Sequence, residues 1–242
     1  MASQNFIFRP ALKTYSQAPT DVAEFVTDGL VLHLDAANPK SYTGSGTVCS
    51  DLSVNQYNGT LTNGTNFVTD NEGSFEFDGN DDNIDFGNLT EMNFSNVNFS
   101  FEVVFKKFTW DKSYQTIISK GDKTWRLSRN NLTSRLEFST GSSTGLKTVL
   151  SPDVSDNIWY HVTGVYNGSE HLLYLNGEVS NTTSGTTSIS ASDTQNLMIG
   201  DNSEKTGRQF EGLIPLVRIY NRALSEAEIK QNFDALRNRF GL

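Results

Sequence analysis

The sequence holds one cysteine, Cys49, in 242 residues. No intrachain disulfide can form, so a disulfide-stapled scaffold is excluded and stability must come from packing, with bound ions as the only supplement. Basic residues are also scarce: 19 Lys and Arg stand against 28 Asp and Glu, a formal net charge of -9. That balance argues against nucleic acid as a partner, because phosphate backbones are held by Lys/Arg-rich faces through counterion release. No apolar run approaches the roughly 18 residues of a membrane span. The first ten residues contain no apolar stretch behind positive charge, so neither membrane insertion nor a standard signal peptide is expected. What is present is core material: 36% of residues are hydrophobic, only 19% are charged, and 16 are Phe, which separates the chain from disordered sequences.

Residues 1–27 mix isolated aromatics with Pro10 and Pro19 and show neither strand alternation nor a helical face. They read as an irregular N-terminal arm: either a loose terminus or an anchoring segment that packs Phe6, Ile7 and Phe8 onto another subunit or protein. Residues 28–242 read as one domain, a length compatible with a single all-β core. Short apolar or alternating runs separated by Gly, Asn, Asp and Ser predict strands from LVLHL (Leu30 to Leu34) to LIPLVRIY (Leu213 to Tyr220). In NFSFEVVF, Phe99, Phe101, Val103 and Phe105 share one face and Ser100, Glu102 and Val104 the other, so the phenylalanine face is expected in the core. Asn167-Gly168 and Asn176-Gly177 bracket HLLYL and predict two consecutive hairpins. Ser225 to Asn238 reads as the one sustained helix, opened by a Ser225/Glu228 capping box and carrying Ile229, Phe233 and Leu236 on one stripe. The fold class is thus all-β, a two-sheet antiparallel jelly-roll sandwich closed by one C-terminal α-helix.

Five stretches carry a family likeness: GLVLHLDAANPKSYTGSG (Gly29 to Gly46), DLSVNQYNGTLTNG (Asp51 to Gly64), SFEFDGNDDNIDFG (Ser74 to Gly87), WYHVTGVYNGSEHLLYLNG (Trp159 to Gly177) and FEGLIPLVRIYNRALSEAEI (Phe210 to Ile229). Together they resemble the laminin G-like, concanavalin A-like jelly-roll family, in the branch that also resembles pentraxins. This fold carries lectins, glycan hydrolases, adhesion modules and virion proteins alike, so the likeness speaks to shape more than to task.

Glucanases of this fold class place their carboxylates in an E-x-D-x-x-E pattern on one strand face. Glu76 and Asp78 copy its first half, but Asp81, in the turn that follows Gly79-Asn80, stands where the second Glu belongs. Glycan hydrolysis needs both carboxylates, so no catalytic residues are assigned and the chain is expected not to be an enzyme. His33, His161 and His171 show no metalloprotease spacing and read as strand residues; Cys49 reads as a packing residue. In pentraxin-like relatives a metal site joins an Asp-Asn pair before a strand to an acidic loop after another strand. By that resemblance Asp81, Asp82 and Asn83, with Asp201, Asn202 and Glu204, are candidate ligands for one calcium ion; the other reading is that these residues only shape turns.

Sugar binding pairs an aromatic platform with Asp and Asn groups. Trp110, Asp111 and Tyr114 of FTWDKSYQ, and Trp125, are the candidate glycan-binding residues, with a core position as the alternative for Trp125 and the expected one for Trp159. The expected function is a non-enzymatic virion structural or surface protein of bacteriophage type (capsid decoration, fibre or tail component) that presents a lectin-like adhesion domain. Its partners would be other virion proteins through the arm and host or environmental glycans, with a homo-oligomer as one form of assembly, and its place the virion surface. The alternatives are a carbohydrate-binding module of a cell-surface or secreted, hence extracellular, protein and, behind it, a glycan hydrolase.

Overall fold

A computed structural model describes residues 24–242 except 96, 143–144, 187–188 and 190–192. Phe6, Ile7 and Phe8 lie outside the described residues. In chain order the strands are β1 (Leu30–Asp35), β2 (Val48–Cys49), β3 (Gly59–Thr62), β4 (Asn66–Val68), β5 (Ser74–Asp78), β6 (Asn83–Asp85), β7 (Phe99–Lys107) and β8 (Thr116–Ser119). They continue with β9 (Trp125–Arg129), β10 (Arg135–Ser142), β11 (Gly145–Asp153), β12 (Trp159–Tyr166), β13 (Glu170–Leu175), β14 (Glu178–Ser184), β15 (Met198–Ile199) and β16 (Glu211–Tyr220), and helix α1 (Glu226–Phe240) follows. The first sheet runs β14-β13-β12-β7-β16-β5-β4, with β1 also on β16; the second runs β11-β10-β9-β8-β15-β6-β3-β2. Both are antiparallel, as expected of a jelly-roll sandwich.

Between the sheets lies the phenylalanine face of β7: Phe99, Phe101, Val103 and Phe105 are fully buried with Phe75, Phe77, Trp125, Leu127 and Phe138. The opposite face of β7 is not exposed either. Helix α1 covers it, packing Leu236 and Phe240 on Val104 and Leu216, while Ile229 and Leu224 meet Val26, Val165, Tyr174 and Tyr220. Trp159 therefore differs from its expected core position. It is half-buried outside the sandwich, its ring 5.1 Å from that of Phe240 and under the Lys106 ammonium, because odd-numbered residues at this end of β12 face the helix.

A polar network pins the helix down. Glu102, with no exposure, accepts from His161 Nε2 at 2.7 Å, from Arg218 at 3.3 Å and from Asn232 Nδ2 at 2.9 Å. Asn232 also accepts from the Val26 amide (2.8 Å), and the Tyr220 hydroxyl donates to the Val26 carbonyl (3.1 Å). Residues 24–27, assigned to the arm by sequence, are thereby fixed to the sheet, with Phe25 stacked 4.0 Å from the Arg218 guanidinium. Burial alone would raise the Glu102 carboxyl; Arg218 and His161 outweigh it and hold it at about 2.

β16 shares one edge with β7 and divides the other, pairing Glu211 to Ile214 with β5 and Leu216 to Tyr220 with β1. Pro215 sits at the changeover, where the register with β7 shifts between Leu213 and Leu216, so its missing N–H breaks no ladder and its carbonyl takes the Ala36 amide. Both expected hairpins form. Asn176 and Gly177 have φ of 51° and 79°, the two positive angles of a two-residue primed turn, and a Cβ on Gly177 would fall 2.8 Å from Phe233. The Ser225/Glu228 capping box is present and Gly241, at φ 68°, ends the helix.

Candidate functional site

The site lies where β5 meets the start of β16. Phe75 and Phe77 of β5 point into the core, so Glu76 and Asp78 point out, and the pairing sets Glu211 opposite Asp78. The chain then turns tightly. Asp78 accepts the Asn80 amide (2.8 Å) and side-chain Nδ2 (2.9 Å), and Asp82 accepts the Asp78 amide (2.9 Å). Four carboxylates, Glu76, Asp78, Asp82 and Glu211, thus line an open groove of about 430 Å³ together with Phe108 and the amides of Asn63 and Asn66. Asn66 Nδ2 donates to Glu76 at 3.2 Å. Burial, then Asp111, raises the Glu211 carboxyl, and burial with crowding by Asp78 and Asp81 raises Asp82; the hydrogen bonds from Asn80 lower Asp78. Among the described residues none of the four is ion-paired with Lys, Arg or His.

The aromatic loop between β7 and β8 meets this turn. Gln115, fully buried, accepts the Asp111 and Lys112 amides at 2.9 and 3.0 Å, and the Lys112 ammonium donates to the Gly79 carbonyl. Two regions read as separate in the sequence, FTWDKSYQ and the acidic turn, thereby form one end of the sandwich. Within it Trp110 packs on Phe210 (6.1 Å) beside Lys107 and Arg129, and Asp111 is exposed. Tyr114, at φ 56°, lays its ring against Arg208 (5.1 Å) and Arg126 (5.8 Å).

Trp125 is corrected. It is fully buried, stacked on Phe101 at 10°, with Nε1 donating to the Met92 carbonyl at 2.8 Å, so it is core and offers a sugar no platform. Phe108 and Glu211, by contrast, escaped the sequence reading. The only signal was that Phe108 opens the aromatic loop just past the end of β7; its amide donates to the Glu211 carbonyl at 3.1 Å.

The six expected calcium ligands do not converge. Asp81 and Asp82 join Asp78, their carboxylate oxygens within 4.8 Å of one another. Asn202 instead donates to Asp122 (2.9 Å), and Glu204 accepts the Asp122 amide (2.9 Å) and pairs with Lys123 (3.1 Å). Asp201 accepts the Asn202 amide and Gln209 Nε2. Lys123, Gln209 and the Asp122 and Asn202 amides have taken oxygens of this second loop. Asp78, Asp81 and Asp82 bring three carboxylates together, and Asp78 and Asp82 already accept turn amides. Asn83 is buried; its Nδ2 donates to the Asp81 carbonyl, and its Oδ1 meets no donor among the described residues.

The remaining candidates face away from the groove's chemistry. Burial holds His33 and His171 at about 4 and pushes the Cys49 thiol to about 12, and Glu102 occupies His161.

No curated protein matches this sequence. Among solved structures, the binding domain of Paraclostridial Mosquitocidal Protein 1 superposes with a TM-score of 0.71 at 19% identity, over 87% of this chain and 53% of that one. Domain 4 of an extracellular arabinanase from Geobacillus stearothermophilus, in complex with arabinotriose, gives 0.64 at 18% identity, over 86% of this chain and 99% of that one. Trypanosoma rangeli sialidase in complex with sialic acid gives 0.63 at 18% identity, over 87% of this chain and 33% of that one. This chain thus spans about half of the toxin binding domain and nearly all of the arabinanase domain; at such identities the likeness is one of fold. The family model for the laminin G-like group, described as the concanavalin A-like lectin/glucanases superfamily, matches residues 78–230. The chain, a lectin-like jelly roll, belongs to the concanavalin A-like lectin/glucanase superfamily.

Proposed function

We propose that this domain is a non-catalytic carbohydrate-binding module and that the groove between Glu76, Asp78, Phe108 and Glu211 takes the sugar. The observation that carries the reading is the meeting of an aromatic side chain with carboxylates and two amides in one groove of about 430 Å³, the size and chemistry of a small-ligand site. The arabinanase domain bound to arabinotriose supports it by analogy of fold. Catalysis is not part of the reading: Asp78 is committed to its own turn, and the pattern's last glutamate is replaced by Asp81. A glycan array probed with the chain is expected to give specific signals that Phe108→Ala abolishes. Hydrolysis of a polysaccharide panel, lost in Glu211→Gln, would replace a binding module by an enzyme.

A second reading mounts this module on a virion surface through residues 1–27. It is favoured by β16, whose ten residues run from Glu211 at the groove to Tyr220 beside Val26. At roughly 3.3 Å per residue Val26 lies about 30 Å from the groove along β16, so a tether joined at that end would leave the binding end free. Antibody to the chain should label intact phage particles; labelling confined to uninfected cells or their medium would favour the extracellular module.

A further inference from the structure

We propose that the chain forms a two-fold dimer in which strand β14 pairs antiparallel with β14 of a second copy, continuing the first sheet from one molecule into the other.

The two sides of the sandwich differ at their edges. On one side the outermost strands are β4 and β2, of three and two residues, and edges that short offer little to pair with. On the other side they are β14 and β11, of seven and nine residues. β11 carries Lys147 and Pro152, residue types that discourage pairing at an edge. β14 has neither. Its sequence is EVSNTTS, in which Val179 to Ser184 carry no charge although the whole chain has a net charge of -9. Most of the strand is exposed, Val179 by 52%. A bulge against β13 lies between Asn181 and Val179, so the stretch from Asn181 to Ser184 stays regular. Asn181 Nδ2 ties that stretch to the Leu150 carbonyl of β11 at 2.9 Å.

The backbone shows which groups face outward. The Gly185 amide donates to the Ser169 carbonyl, so by alternation Thr183 and Asn181 turn their N–H and C=O toward β13, and Thr182 and Ser184 turn theirs away. In keeping with this, the Thr182 amide donates to Oδ1 of its neighbour Asn181 at 2.9 Å, an acceptor that a second copy's carbonyl can replace. With the two-fold axis at Thr182, the two Thr182 residues exchange both N–H···O=C bonds as a directly opposed pair.

The ends of the strands then complement each other. Glu178 of one copy reaches the Gly185 end of the other, where the Lys147 ammonium stands: a Cβ on Gly185 would fall 2.6 Å from Lys147 Nζ. Neither Glu178 nor Lys147 has an ion-pair partner among the described residues. Within one chain they sit at opposite ends of β14, roughly 20 Å apart, so they can meet only between copies. Val179 and Leu146, both about half exposed, adjoin these charges and add apolar surface. The groove at β5 and β16 lies toward the other end of the strand order and stays open, so whatever it binds, the dimer carries two such sites.

The contact of one strand edge is small, which places the dimer in the micromolar range. Sedimentation equilibrium of the full chain from about 1 to 200 µM is expected to show monomer and dimer in exchange and nothing larger, because a two-fold contact closes. Glu178→Lys and Lys147→Glu should each weaken the dimer about tenfold by setting like charges at both ends, and the double substitution should restore it. Thr182→Pro removes an outward amide and no ladder bond; it should keep the melting temperature and leave the chain monomeric throughout. A wild-type chain that stays monomeric over this range would overturn the proposal. So would a dimer that survives Thr182→Pro, single charge substitutions without effect, or a double substitution that dimerises no better than either single.

Discussion

At one end of β16, Arg218 and Tyr220 reach a network around Glu102 that is sealed from water; at the other, Glu211 joins three more carboxylates in an open groove. The same residue type serves opposite ends. Beneath helix α1 the Glu102 carboxylate is surrounded by Arg218, His161 and Asn232, as a buried charge must be if it is to stay ionised. In the groove the carboxylates form no ion pair among the described residues: Asn66, Asn80 and the Asp78 amide hydrogen-bond three of them, Lys112 acts on Glu211 from a distance, and solvent reaches the open side. A carboxylate that the fold satisfies holds the structure together, and one that it leaves unsatisfied is available for recognition.

The contrast is most sharply broken by Arg218→Ala. It strands Glu102 without its cation and is expected to cost about 3–5 kcal/mol in denaturant unfolding, whereas Glu76→Gln and Glu211→Gln in the groove should shift stability by less than about 0.5 kcal/mol. A groove substitution as costly as Arg218→Ala would erase the distinction.

Acid should separate the two ends next. Glu102 is held at about 2, below its ordinary 4.5, so its contribution is present above pH 4.5 and is lost as pH falls toward 2, of order 3 kcal/mol. His33 is lowered from 6.5 to about 4 by burial and Arg218. Being held neutral, it takes stability away as pH drops from 6.5 to 4. Glu211 and Asp82 are raised, so their protonation on acidification favours the folded state. Melting temperature is therefore expected to fall on acidification in two stages, and a Glu211→Gln, Asp82→Asn variant should fall more steeply. Parallel curves for the two proteins would contradict the groove's share.

The smallest effect belongs to the helix that seals the buried end. Ser225→Ala removes the capping box and should cost about 1 kcal/mol, read by the same unfolding experiment, with no change in glycan binding. A loss of binding would mean that the two ends are coupled along β16.

Much of this fold was legible because period and turn chemistry are local. The Phe99 to Phe105 alternation, the Asn176-Gly177 turn and the Ser225/Glu228 box each depend on residues a few positions apart. Strands β2, β3, β4 and β14 were not legible, since they are too short or too poor in alternating apolar residues to show a period and exist through their pairing partners. Trp125 and Trp159 show the limit for single side chains: a tryptophan in a strand states that it will be covered, but whether by the opposite sheet or by a helix about eighty residues later in the chain is a matter of packing. The candidate site was half visible. Glu76, Asp78 and the acidic turn could be picked out, whereas Glu211 joins them only through the β5–β16 register and Phe108 only through the loop that Gln115 and Lys112 hold in place.

What the sequence by itself determined was the two-residue rhythm of the strands, the turns that only Asn and Gly adopt readily, the capped C-terminal helix and the excess of acid over base. Those are set by backbone sterics and side-chain chemistry within a few residues. Which carboxylates would be paired and which left open was decided only by the tertiary structure. The attraction between Glu102 and Arg218 and the crowding of Asp78 with Asp82 depend on distance in space and on access to water, and both are fixed when the sheets close and α1 covers one face.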